Sequence, residues 1–108
     1  KQIKTHDAMV NDIPWEFKLT KDYQNICKTM RTKIDDAVSQ GAKVVLLDIV
    51  RTSWFNVDDL IKGVENAFRF HPEIEGVCIM LESKKFKLID RTYFDDGRYI
   101  KTIKKWLE

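Results

Sequence analysis

The chain is 108 residues long, 44% apolar and 11% aromatic, which excludes a disordered or low-complexity segment and fits one globular domain over residues 1–108. Its formal charge is +2 and its pI about 8.5, so a nucleic-acid partner is permitted but not demanded. No apolar run approaches membrane-spanning length and no signal peptide is visible, although a domain carried inside a larger secreted protein would lack a signal of its own.

Lys1 to Thr5 reads as a strand already under way. Val10-Asn11-Asp12-Ile13 reads as a tight hairpin turn, because Asn and Asp tolerate the positive φ that a two-residue turn needs. The second arm alternates, with Trp15, Phe17 and Leu19 on one face and Glu16, Lys18 and Thr20 on the other. The aromatic face is expected to anchor the sheet on the helices. Asp7, at the root of the first arm, folds back toward the polar face and joins Glu16 and Lys18. Two carboxylates beside substrate phosphate suit a hard divalent cation such as Mg²⁺, and a lysine two residues further on can align a metal-bound water or balance phosphate charge. The plainer reading of the same three residues is a solvated face of an amphipathic strand.

Thr20 or Asp22 caps a helix that runs to about Gln40 and ends at Gly41. Its apolar stripe is Tyr23, Ile26, Cys27, Met30, Ile34, Ala37 and Val38. Lys43 to Val50 is a continuous apolar run of strand length, buried on both faces, with Asp48 as its one carboxylate. Asp48 therefore needs a partner, either Arg51, Lys18 or a backbone turn, and a structural role is the first reading. Arg51 to Phe55 is a loop beyond the carboxyl end of that strand. Asn56 caps the next helix, whose stripe is Val57, Leu60, Ile61, Val64, Ala67 and Phe68; His71-Pro72 stops it.

Gly76 to Leu81 is a second buried strand, parallel to the first if the intervening helix is a crossover. Lys84-Lys85-Phe86-Lys87 is a basic turn leading into a strand that ends at Ile89, where edge lysines serve solubility or meet nucleic acid. Gly97 to Glu108 closes the chain as a helix with Tyr99, Ile100, Ile103, Trp106 and Leu107 inward. Cys27 and Cys78 have no metal-ligand spacing and read as small buried hydrophobes. This element order predicts an α/β three-layer sandwich with a mixed central sheet.

The order of an acid, a hairpin and then Glu-x-Lys resembles the PD-(D/E)XK nuclease superfamily, with Asp7 in the Asp position and Glu16-Phe17-Lys18 in the E-x-K position. The run Lys4-Thr5-His6-Asp7, Asn11 and Trp15-Glu16-Phe17-Lys18 resembles one branch more narrowly: the C-terminal nuclease domain of contact-dependent growth-inhibition (CdiA-type) toxins. Gln40 and Val44 to Asp48 extend the likeness to about Ile79. His6 stands where that branch has Pro, and Asn11-Asp12 where it has Asn-Gly.

The resemblance implies a restriction-endonuclease-like core and a metal-dependent endonuclease. Mg²⁺ would be held by Asp7, Glu16 and the Phe17 carbonyl, with Lys18 as the third catalytic residue. Thr5, Asn11, Lys21, Lys28, Arg31 and Gln40 would be substrate contacts. The implied substrate is RNA, tRNA before DNA, and the implied partner is a cognate immunity protein. The domain would belong to a larger secreted or cell-surface protein acting in the cytoplasm of a target cell. The helix that precedes the first strand in that superfamily has no counterpart in these 108 residues. A reading from another class is a non-catalytic α/β protein-interaction module in which Asp7, Glu16 and Lys18 form surface ion pairs of little energetic weight.

Overall fold

Asn11 and Asp12 adopt φ values of 52° and 66°, the pair of left-handed residues that a two-residue hairpin turn requires. They fold β1 (Ala8–Val10) antiparallel onto β2 (Ile13–Thr20). The computed structural model describes residues 8–108, so Lys1 to Asp7, including the candidates Thr5 and Asp7, lie outside the described residues.

The first helix, α1 (Ile26–Ser39), starts later than its sequence suggested. Asn25 is its N-cap, accepting the Lys28 amide through its side chain, while Asp22 sits in the preceding loop at φ 58°. Tyr23 is buried from that loop and not from the helical stripe. β3 (Val44–Ile49), α2 (Val57–Phe70) and β4 (Gly76–Leu81) follow the expected pattern, and Asn56 caps α2 by accepting the Asp59 amide. Glu82 and Ser83, at φ 48° and 57°, then turn the chain into β5 (Lys85–Asp90). The turn therefore holds Lys84, whereas Lys85 and Lys87 belong to the strand. A short helix that the sequence did not announce, α3 (Arg91–Asp95), is capped by Asp90, and α4 (Tyr99–Leu107) completes the chain with Ile100 exposed, not inward.

The sheet order is β1-β2-β3-β4-β5, with β2, β3 and β4 parallel and both outer strands antiparallel. This is an α/β fold on a five-stranded mixed open sheet. The crossovers β2-α1-β3 and β3-α2-β4 step the same way across the sheet, so with the usual right-handed connection both helices fall on one face. α1 packs on α2, and α2 packs on α3 and α4. Among the described residues the architecture is thus one helix layer on one sheet, two layers where three were expected.

The register fixes which side chains share each face. Val45, Leu47, Ile49, Val77, Ile79, Leu81 and Ile89 point into the helix layer and form the core with Ile26, Met30, Ile34, Leu60, Val64 and Ile103. Glu16 pairs with Val45, Lys18 with Leu47 and Thr20 with Ile49, so the polar side of β2 also faces the helices. The expectation that Trp15 and Phe17 anchor the sheet on the helices is overturned. Phe17 is 47% exposed and Leu19 48%, whereas Glu16 is 4% exposed and Thr20 fully buried. The hand of the crossover decides this: it commits one parity of β3 to the helices, and β2 inherits that parity through the parallel ladder.

Candidate functional site

The alternation of β2 brings Glu16 and Lys18 to the same side, at the edge of the helix layer. There Lys18 Nζ lies 3.3 Å from Glu16 Oε2 and 2.5 Å from Asp36 Oδ2. Asp36 projects from the C-terminal half of α1, and Gln40, the helix C-cap, donates to the same Asp36 oxygen at 3.4 Å. The structure therefore gathers Glu16, Lys18 and Gln40 around one residue, Asp36, that the sequence reading passed over. An acid on the polar side of a helix after Glu-x-Lys gave the only available hint, and Asp35 beside it was an equal candidate.

The electrostatics are those of an ion-pair chain. The hydrogen bond to Asp36, reinforced by Glu16, holds the Lys18 ammonium above its ordinary 10.5 against the opposing effect of burial. Reciprocally, Lys18 holds the Asp36 carboxyl below its ordinary 3.8. Lys18 is thus a fixed cation with its charge shared between two carboxylates.

The other candidates do not converge here. Asn11 sits in the β1-β2 turn and lines a depression on the opposite sheet face. Lys21 is exposed in the loop after β2. Lys28 stands in the first turn of α1, eight residues from Asp36 and so about 12 Å away along the helix. Arg31 turns toward α2, its guanidinium 5.5 Å from the centre of the Phe70 ring. Phe17 points away from Lys18, onto the open face. His71, the α2 C-cap, meets Asp35 at 2.6 Å and ties the two helices together.

Asp48 also has the structural role expected of it. It accepts the Ser83 amide at 3.0 Å and the Ser83 hydroxyl, pinning the β4-β5 turn to the end of β3. Arg51 pairs instead with Glu82 at 2.8 Å. Both cysteines are free, with Cys78 buried and Cys27 half-buried.

The face of the sheet away from the helices is the larger feature. Its rows, read across β2, β3, β4 and β5, are Trp15-Val44-Gly76-Asp90, Phe17-Leu46-Cys78-Leu88 and Leu19-Asp48-Met80-Phe86. Two depressions mark it, one of about 390 Å³ against Phe17, Leu19, Leu46 and Met80, the other of about 260 Å³ against Val10, Trp15, Val44 and Leu88. Asp48 and Asp90 are the charged residues of these rows, and each already accepts a backbone amide, from Ser83 and Tyr93. Lys18 also borders the larger depression.

A scan against protein-family models and searches of curated proteins and of solved structures returned no significant match. Among the described residues, no helix is long and apolar enough to cross a membrane.

Proposed function

We propose that this chain is a non-catalytic α/β protein-interaction module that works through the sheet face on which no described helix packs. The observation that carries this reading is the contiguous apolar surface across four strands. Phe17, Leu19, Phe86 and Leu88 are 47, 48, 64 and 42% exposed. Together they offer roughly 400 Å² of apolar area, taking about 150–250 Å² for a whole aromatic side chain and somewhat less for leucine. That is already about half of the ~800 Å² that each partner contributes to a standard interface, before Trp15, Leu46 and Met80 are counted. A second copy of the chain is the occupant that the surface fits. The face is self-complementary in character and apolar at its centre, with Lys18 and Asp48 both at its larger depression.

Sedimentation over a micromolar-to-millimolar series tests this, with Phe17→Asp and Leu88→Asp beside the wild type. A dimer that either substitution dissociates, without change in circular dichroism, supports the reading. A wild-type monomer across the series removes the second copy as occupant.

A second reading, the metal-dependent nuclease, is favoured by the meeting of Glu16, Lys18 and Gln40 around Asp36. In that reading the substrate is tRNA, or DNA with the same site, and an immunity protein blocks the site in a producing cell. In this reading Mg²⁺ is held by Glu16, the Phe17 carbonyl and Asp7, the last of which lies outside the described residues. The space between the Glu16 and Asp36 carboxylates is filled by the Lys18 ammonium, and no cluster of three or more His, Cys, Asp or Glu that could hold a metal occurs among them. The nuclease reading therefore needs Asp7 as a further ligand and Lys18 displaced from its carboxylates. Incubation with total tRNA and with plasmid, with Mg²⁺ and with EDTA, decides it: metal-dependent cleavage abolished by Glu16→Gln establishes the nuclease and overturns the non-catalytic module.

A further inference from the structure

The far edge of the sheet carries a feature independent of both readings. From Lys84 to Glu108 there are eight Lys and Arg against four Asp and Glu, a surplus twice the net charge of the whole chain. Parity sends Lys85 and Lys87 of β5 to the helix side, because they pair with Leu81 and Ile79. There they meet α3 and α4. Lys87, Tyr93, Thr102, Lys105 and Trp106 line an open groove of about 290 Å³.

The walls of this groove are held in place by cations that stack on them. Lys85 Nζ lies 5.1 Å from the centre of the Trp106 ring and donates to the Trp106 carbonyl at 3.1 Å. The Arg98 guanidinium lies 4.3 Å from the centre of the Tyr93 ring and is fixed by Asp96 at 2.6 Å. Lys87 and Lys105, by contrast, take part in no ion pair found among the described residues. Two aromatic walls, two uncommitted ammonium groups and the Thr102 hydroxyl are what a planar anionic molecule asks for: rings give a stacking surface tolerant of base identity, and lysines act as point charges for phosphate. The volume is close to the ~300 Å³ lower limit of small-molecule sites, which suits one nucleotide and not two.

We propose that this groove binds a nucleotide, with its base against the Tyr93 and Trp106 rings and its phosphate held by Lys87 and Lys105. The same chemistry is offered by a free mononucleotide and by one unit of a single-stranded nucleic acid.

Isothermal titration with adenosine 5′-monophosphate, adenosine, inorganic phosphate and a short oligoadenylate tests it on the full chain. The monophosphate is expected to bind at least about tenfold more tightly than adenosine or phosphate alone, since each of those reaches only half of the site. Lys87→Ala and Lys105→Ala are each expected to weaken it several-fold. Trp106→Leu weakens it further while Trp106→Phe, which keeps a ring, restores most of the affinity. Oligoadenylate binding more tightly than the monophosphate identifies a strand as the source; equal or weaker binding identifies the free nucleotide. Monophosphate binding no better than phosphate, or lysine variants that bind like the wild type, overturns the proposal. Circular dichroism of each variant separates lost binding from lost folding.

Discussion

Glu16 and Lys18 stand two residues apart on one strand, and their side chains meet at 3.3 Å on the side of the sheet that the helices cover. An Asp36 oxygen 2.5 Å beyond completes a carboxylate-ammonium-carboxylate chain from the sheet to α1. Lys18→Ala takes a cation 3.3 Å away from a carboxylate that is 5% exposed. Removing one partner of a buried pair costs several kcal/mol, less where one end is open to water. The expected loss is about 1–3 kcal/mol in urea denaturation, and Glu16→Gln, which keeps the shape and relieves the charge, should cost less. Equal stability of Lys18→Ala and wild type would mean that the chain is only a surface contact.

The same contact gives the protein an acid limb. Asp36 is held below its ordinary 3.8 by Lys18, and Glu82 below its ordinary 4.5 by Arg51. A depressed carboxyl stabilises the fold above its unfolded value and loses that contribution as pH falls through its folded one. Stability is therefore expected to decline below pH 4.5 and more steeply below pH 3.8. In Lys18→Met the Asp36 part of the decline should vanish; an unchanged acid slope in that variant would exclude Lys18 as its cause.

The two sides of the sheet predict unequal responses to substitution. Leu47→Ala, on the fully buried side, is expected to cost about 2–5 kcal/mol. Phe17→Asp on the open side, where Phe17 is already 47% exposed, is expected to cost about 1–2 kcal/mol, less than Leu47→Ala. Urea midpoints at a protein concentration where only monomer sediments measure both. A large loss from Phe17→Asp under those conditions would show that the face is covered from within the chain.

Gly63 lets α1 and α2 approach closely. A Cβ built there clashes with Met30 Sδ and falls 2.9 Å from its Cε, and Met30 is fully buried. Overpacking costs about 1–3 kcal/mol, against a gain of about 1 kcal/mol when a helical glycine becomes alanine. Gly63→Ala should therefore be mildly destabilising. In a Met30→Ala background, where the clash is gone, the same substitution should stabilise. A double-mutant cycle without coupling between the two positions would refute the contact.

Much of the fold was legible in the chain because local rules govern it. Asn11-Asp12 needed positive φ, the run from Val44 to Ile49 was too apolar for an exposed strand, and the stripe of α2 matched one helical face. The sidedness of β2 was not legible. Its alternation shows that Trp15 and Glu16 take opposite faces, but which face meets the helices depends on the crossover to β3, a non-local property. The usual rule that aromatics go inward then selects the wrong face. The candidate site was half legible for the same reason: Glu16 and Lys18 are paired by strand periodicity alone, whereas Asp36 reaches them only through the packing of α1. The late start of α1 was missed because three capping residues, Thr20, Asp22 and Asn25, compete within six positions, and only Asn25 has extended backbone with a free side chain aimed at an amide.

The sheet order β1-β2-β3-β4-β5 repeats the order of the chain. Each strand therefore docks on the one made just before it, and none must be threaded between two that have already paired. During synthesis the chain can add its strands one by one as they leave the ribosome. At each stage the edge of the newest strand is the one that the next segment meets.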